Sequence, residues 1–363
     1  MSGASLKLLI CFLVCESIFV LIRHFIRREP HIALSAVWLI VELVMAAAVA
    51  FFFVSFDSRI TWRISTLECG LYIAFMGDWM MNLLNFILRL FHKKGANIWI
   101  TFAFGAIIFI LGSVNAYSFK TVEHTFVSEK LSSTYRIGFL SDLHYSKDVS
   151  EKKLEKMVAD MNRQKFDFVI LGGDITDEMS EIADLNDVYL QLSKLKMPVY
   201  YIYGNHDRQE QAALLNGPSY SEEQLVEAIT SHNITVLSDE FVGIAPDLVL
   251  FGREDCGNGR DMMLKKDIVN PYPGAFYLLA KHDPSDRNDI KQLSPDLTVS
   301  GHTHAAQLWP LRFFYILFDF PTVGEINYDN DTVVISPGAG TWDVPFRTES
   351  FCDYEILQLE PAK

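Results

Sequence analysis

Five short apolar runs each end in residue types that bind cations, and this pattern limits the fold more than any other feature of the chain. "YRIGFLSD" runs into Asp142-Leu143-His144, and "FDFVILGGD" closes on Gly172-Gly173-Asp174. "PVYYIYGNHD" closes on Gly204-Asn205-His206-Asp207, "AFYLLAKHD" on His282-Asp283, and "DLTVSGHTH" on Gly301-His302-Thr303-His304. Apolar runs of this length read as buried strands. Two helical patterns lie between the first three. Glu151–Gln164 places Leu154, Met157, Val158 and Met161 on one face, with Ser150 as the expected N-cap, and "DLNDVYLQLSKL" follows the second strand. Further runs ("DLVLFGRE", "TVVISPGAG" and "CDYEILQLE") add strands with little helix between them. A mixed two-sheet α/β sandwich fits this order better than a doubly wound sheet.

Ligands of α/β sheets collect at strand ends. The mixed nitrogen and oxygen donors here suit Mn²⁺, Fe²⁺ or Zn²⁺ rather than a thiolate zinc site. Each glycine lets the backbone turn sharply or approach closely. His302 and His304 are two apart, so their imidazoles can point to one side of an extended strand end. Any one of these pieces is common by chance, but five in series, each directly after an apolar strand, are not.

The series Asp142-x-His144, Gly-Gly-Asp174, Gly-Asn205-His206-Asp207, His282 and Gly-His302-x-His304 resembles the calcineurin-like metallophosphoesterases, from roughly Tyr135 to the C-terminus. With four apolar segments in front, the chain looks like the transmembrane branch, related to UDP-2,3-diacylglucosamine hydrolases. The resemblance implies a four-layer α/β/β/α sandwich over residues 135–363. It implies two divalent metal ions (Mn, Fe or Zn) and hydrolysis of a phosphoester or pyrophosphate by a two-metal, bridging-hydroxide mechanism. Asp142, His144 and His304 look like ligands of the first metal, and Asn205, His282 and His302 like ligands of the second. Asp174 looks like the bridging carboxylate. His206 is similar to the family's histidine beside the scissile phosphate, and Asp207 to the acid that orients it. The chain departs from the branch at Ala305-Ala306-Gln307, where Gly-Gly-Gln is usual.

The first 117 residues are different in kind. Apolar stretches run over Leu6–Ile22, Ala33–Phe56, Leu67–Phe91 and Ile98–Tyr117, each about the ~20 residues that cross a bilayer as a helix. A cleaved signal peptide would account for the first but not the rest. Residues 1–117 are therefore expected to form a four-helix transmembrane region and residues 118–134 a linker. This third holds nine Lys and Arg against six Asp and Glu, whereas the remainder holds 22 against 39. So acidic a remainder argues against nucleic-acid binding. Arg23, Arg27 and Arg28 follow the first stretch, and Arg89, Lys93 and Lys94 lie in or after the third; Arg59 and Arg63 lie beside Asp57 after the second. The excess of positive charge puts loops one and three in the cytoplasm and the soluble domain outside. Glu16, Glu42 and Asp78 fall inside apolar stretches, where carboxylates face a bundle interior or wet cavity, or sit protonated near the interface.

Other features leave alternatives open. Arg208, Arg253, Arg260 and Arg347 lie beside motif-like stretches, and arginine forks match phosphate oxygens. Arg208 and Arg347 are the expected substrate contacts, and "SPGAGTWDVPFR" reads as a loop closing the site. The apolar run Leu311–Pro321 is either a buried element or a lip that meets the bilayer or an acyl chain. Cys11, Cys15 and Cys69 lie in apolar stretches, and Cys256 and Cys352 pair only if the fold brings them together. The expected function is a membrane-anchored phosphoesterase acting on a lipid-linked substrate. The alternatives are a hydrolase of soluble phosphodiesters or nucleotides that is only anchored there, and a non-catalytic membrane receptor.

Overall fold

Strands that are apolar along their whole length need cover on both faces, which parallel sheets between other layers provide. The computed structural model of the chain describes residues 3–26, 40–41, 43–45, 61–97, 99–210, 212, 217–255, 267–328 and 331–363. It divides into two compact units. One comprises Met1–Ala116 with Ala306–Phe314 and Asp343–Ser350; the other comprises Tyr117–Ala305, Tyr315–Trp342 and Phe351–Lys363.

The second unit holds two six-stranded mixed sheets. The first sheet contains β1 (Phe119–Ser128), β2 (Tyr135–Leu140), β3 (Phe168–Leu171), β4 (Val199–Tyr201), β5 (Ile234–Val236) and β12 (Cys352–Pro361), in the order β1-β12-β2-β3-β4-β5. The second contains β6 (Glu240–Ala245), β7 (Leu248–Gly252), β8 (Phe276–Ala280), β9 (Leu297–Ser300), β10 (Gly324–Asn327) and β11 (Thr332–Ile335), in the order β10-β11-β9-β8-β7-β6. The ligand-bearing strands β2, β3 and β4 run parallel, as do β8 and β9, so within each sheet the chain leaves its strands at one common edge. Ile137, Phe139, Ile170, Leu250, Leu278 and Val299 fill the space between the sheets. Each such fully buried side chain contributes roughly 1.5–3 kcal/mol. Leu154, Met157 and Met161 cover the outer face of the first sheet with Leu185, Leu192 and Ile229. The second sheet's outer face carries Phe251, Tyr277 and Ile335 against Ile290. The expected layers are present, and among the described residues one short helix lies on one outer face.

The helices given bounds among the described residues are α1 (Gly3–Ile26), α2 (Thr61–Leu90), α3 (Ile100–Tyr117), α4 (Lys147–Met161), α5 (Ile182–Leu192), α6 (Glu222–Thr230), α7 (Arg287–Leu293) and α8 (Leu311–Leu317). In α4 the N-cap is Ser146, not Ser150; Ser150 lies in the first turn, and its N–H donates to Ser146 O. A second correction concerns residues 118–134. They are not simply a linker, since β1 pairs with β12 in parallel over ten residues.

In the other unit, α1, α2 and α3 pack through small residues. A Cβ on Gly70 would lie 2.8 Å from Cys11 Cβ, and one on Gly77 3.0 Å from Gly105 N. Close approach at glycine is how helices associate where apolar surface alone gives no drive. Thr66–Leu90 and Ile100–Tyr117 are long and apolar enough to cross a membrane. The first apolar stretch forms α1, and the second, residues 33–56, lies largely outside the described residues together with Glu42. Two such helices are present among the described residues. Glu16 and Asp78 are buried inside this unit. Cys352 is buried and forms no disulfide among the described residues, and Cys256 and Arg260 lie outside them.

Candidate metal centre

Each ligand-type residue is delivered by a turn that leaves a strand abruptly. Asp142, His144, Asp174, His302 and His304 all have left-handed backbone, with φ between 44° and 71°. That conformation is unfavourable for residues with a Cβ and persists where surrounding structure fixes it, often at functional sites. Close approach is part of the reason. A Cβ on Gly301 would collide with Asp142 Oδ2, and one on Gly204 with Asp174 Oδ1. The loop after β11 supports the same place: Ala339 N donates to Ser141 O and Gly340 N to Asp142 O, both at 2.8 Å.

Two groups of donors result. Asp142, His144 and His304 each offer an atom within 4.8 Å of the others, and so do Asp174, His282 and His302. His144 Nε2 and His304 Nε2 face each other at 3.1 Å, and His304 Nε2 lies 3.6 Å from Asp142 Oδ1. In the second group His282 Nε2 lies 3.0 Å from Asp174 Oδ2. The same Asp174 oxygen is 3.8 Å from His144 Nε2 in the first. Asn205 Oδ1 joins the second group through His302 Nδ1 at 2.9 Å.

The donors fit divalent cations. Asp142 Oδ2 is buried without a hydrogen-bond partner, and an isolated buried carboxylate oxygen is costly unless a cation meets it. Imidazole with carboxylate and amide oxygen matches Mn²⁺, Fe²⁺ or Zn²⁺. The imidazoles are also oriented from behind, since His282 Nδ1 is 2.8 Å from Gly172 O and His144 Nδ1 is 3.3 Å from Asp177 Oδ2. Such partners fix which ring nitrogen faces the ion. Burial pushes the His144 pKa down, but Asp177 and the charge of Asp174 outweigh it and hold it above the usual histidine value. Burial raises the Asp174 carboxyl, yet His282, His206 and His144 around it hold it well below the usual range.

His206 lies beside these groups. Its N–H donates to Asp174 Oδ1 at 2.9 Å, and its ring centroid is 5.3 Å from that of His144. Its orienting acid is not Asp207. His206 Nδ1 meets Glu178 Oε2 at 2.7 Å, and Glu178 is buried. Asp207 instead accepts four backbone N–H groups, from Asp174, Ile175, Thr176 and Gly204, at 2.8–3.2 Å. Its carboxylate therefore ties the β3 and β4 loops together. Burial lowers the His206 pKa, but Asp174 and Glu178 raise it to about 10. Asp177 and Glu178 were not anticipated from the sequence, although both follow Asp174 within four residues. Trp342, also not anticipated, has its ring centroid 6.5 Å from that of His206.

The expected substrate arginines are placed differently. Arg208 Nε donates to Glu222 at 2.8 Å, and Nη1 and Nη2 donate to Glu254 at 2.7 and 2.9 Å, with the guanidinium over the Tyr203 ring. Its fork is held by carboxylates rather than offered to phosphate. Arg347 is fully buried in the helical unit, where its N–H donates to Gly112 O and its carbonyl accepts from Asn115 Nδ2. Only residues 336–342 of the expected closing loop accompany the metal-ligand groups. Arg253 is buried between Asp239 and Asp289.

Residues 135–306 match the family model described as calcineurin-like phosphoesterase. An "Uncharacterized metallophosphoesterase" of Helicobacter pylori is 27% identical over 254 residues, covering 67% of this chain and 64% of the relative. A zebrafish (Danio rerio) "Transmembrane protein with metallophosphoesterase domain" is 27% identical, covering 71% of this chain and 61% of its own length. "Phosphodiesterase YaeI" of Escherichia coli is 28% identical, covering 52% of this chain and 68% of its own. The chain thus spans less than two thirds of the first two relatives.

Proposed function

We propose that this chain, which carries a calcineurin-like metallophosphoesterase domain, is a membrane-anchored hydrolase that cleaves a phosphoester or pyrophosphate bond in a lipid-linked substrate. The observation that carries the reading is Asp174 Oδ2. One carboxylate oxygen faces both donor groups, at 3.0 Å from His282 and 3.8 Å from His144. Asp142, His144 and His304 would hold one divalent cation and Asn205, His282 and His302 the other, with Asp174 available to both. Cations held there would supply charge stabilisation to the attacking and leaving oxygens of a displacement at phosphorus.

The remaining steps belong to the protein. Glu178 accepts from His206 Nδ1 and leaves Nε2 to donate its proton to the leaving oxygen. Asp207 keeps Asp174 and His206 on loops of fixed spacing by holding four amides. Asn205 contributes a neutral oxygen, which limits the negative charge around the cations. The candidate spans Thr66–Leu90 and Ile100–Tyr117 support anchoring, as does the name of the zebrafish relative. The exposed Lys93 and Lys94 after the first span favour a cytoplasmic position for that end, which would leave the catalytic domain on the other side.

The full chain in detergent, assayed on an aryl phosphodiester with Mn²⁺ and then with chelator, tests the reaction. Turnover that needs the metal is expected, and its absence sinks the reading in favour of a receptor. His206→Ala is expected to keep both metal equivalents and lose most of the turnover, roughly 10²-fold or more. Equal loss of metal would assign it to coordination instead.

A further inference from the structure

Soluble surfaces rarely gather large apolar side chains into one contiguous patch. Residues 313–320 do so: Phe313, Ile316, Leu317, Phe318 and Phe320 are 64, 62, 66, 68 and 58% exposed. They occupy α8 and the turn after it, beginning nine residues after His304. The sequence left open a buried element or an exposed lip, and the structure makes it a lip.

Contacts inside the helical unit order its start, and contacts inside the other unit order its end. At its start, Trp309 packs its ring 5.7 Å from Trp79 of α2, and the Tyr72 hydroxyl donates to Trp309 O at 2.6 Å. Trp79 and Tyr72 both belong to the candidate span Thr66–Leu90. At its end, the Arg287 guanidinium donates to Asp319 O at 3.0 Å, and the Thr303 hydroxyl, between His302 and His304, donates to Thr322 O. A segment tied down in this way holds its apolar side chains in water by construction, at a cost that only an apolar partner removes.

We infer that the lip of residues 309–320 seats in the head-group layer of a lipid bilayer and there meets the lipid whose phosphate the metal centre takes. The inference rests on the membrane-anchored reading above. Three observations favour a bilayer over a second copy of the chain. The base of the lip packs on a candidate span. The same unit exposes apolar side chains on its helices, as at Val14, Ile18, Ile110 and Val114. The lip is rich in aromatic residues, the type that collects at membrane interfaces. One chain presents them all, so no dimer is needed to complete the surface.

The test is photo-crosslinking of the full chain in phosphatidylcholine vesicles, with p-benzoylphenylalanine replacing Phe318 in one sample and Val127 in another. Val127 is a comparably exposed control, at 62%, on β1. Lipid adduct at position 318, roughly ten-fold above that at 127, is expected for a side chain at head-group depth. An adduct to a second copy of the chain overturns the inference, as do no adduct at 318 and equal adduct at both positions. The readout needs neither metal nor turnover, so a failed hydrolase reading leaves it interpretable. Alkaline extraction of the same vesicles reports anchoring separately. Protein retained in the membrane without lipid adduct at 318 removes the lip and leaves the anchor.

Discussion

The two donor groups approach each other at Asp174, whose Oδ2 lies 3.0 Å from His282 Nε2 and 3.8 Å from His144 Nε2, and they differ in their contact with water. Asp142, His144 and His304 are all buried, and all three have left-handed backbone. In the second group Asp174 and His282 are buried, but His302 is solvent-accessible and bonds Asn205, which is itself only partly covered. The first group is closed and held in a strained, over-determined backbone. The second is open on the side where His302 and Asn205 lie. On the proposed two-cation reading, the contrast separates cation retention from substrate access: the closed group would fix its cation, and the open one would admit phosphate and exchange its cation sooner.

The severest way to break this contrast is to remove what the groups share. On the proposed reading Asp174→Ala would take one ligand from each group, and it removes the partner of the His206 N–H and of His282. Turnover is expected to fall by about 10³-fold or more, and metal content measured by inductively coupled plasma mass spectrometry to drop at both sites. If one equivalent survives undiminished, Asp174 belongs to a single group and the bridging role fails.

Single-ligand changes sharpen the comparison. His304→Ala opens the closed group and His302→Ala depletes the open one. Against dialysis with a weak chelator, the wild-type chain is expected to release one equivalent well before the other. His302→Ala is expected to retain the slow equivalent, and His304→Ala to lose it, with affinity weakened by roughly 10- to 100-fold or more. The opposite assignment would show that burial does not govern retention here.

Glu178 stands next in size. Glu178→Gln keeps the shape but not the charge facing His206 Nδ1, and is expected to lower turnover roughly 10-fold with both cations retained. With its carboxylate gone, the His206 pKa falls, because Glu178 is one of the groups raising it. The limb of the pH–rate profile that reports loss of the His206 proton should then move to lower pH. An unmoved profile would reduce Glu178 to a packing role.

How much of this the sequence carries depends on where the signal is local. The candidate ligands stood out because each follows an apolar strand, and a buried strand ending in Asp or His has few other uses. Glu178 was not, since "DITDEMS" reads as a solvated turn and only the fold brings it under His206 from another strand's loop. Asp207 was misread for the opposite reason. Adjacency to His206 suggested partnership, yet the turn sends its carboxylate inward to four amides. β1 was hidden because its exposed alternation, as in "FKTVEHTFVS", matches an edge strand weakly, and its partner β12 lies more than two hundred residues away. Ser146 and Ser150 are equal as cap residues, and the backbone alone distinguishes them.

The smallest effect tests the strain in the closed group. After His304, Ala305, Ala306 and Gln307 also take left-handed backbone, with φ of 50°, 64° and 50°. This is the position where the related branch has Gly-Gly-Gln, and glycine adopts such φ values without penalty. An alanine there costs roughly 1 kcal/mol, but both side chains are fully buried, and deleting a methyl costs about 0.8 kcal/mol. The two terms nearly cancel. Ala305→Gly is therefore expected to change the thermal stability of the metal-free chain by less than about 1 kcal/mol, read by scanning calorimetry in detergent. A loss above about 2 kcal/mol would mean that the methyl is a packing support for His304. The closed group would then owe its rigidity to contacts more than to backbone strain.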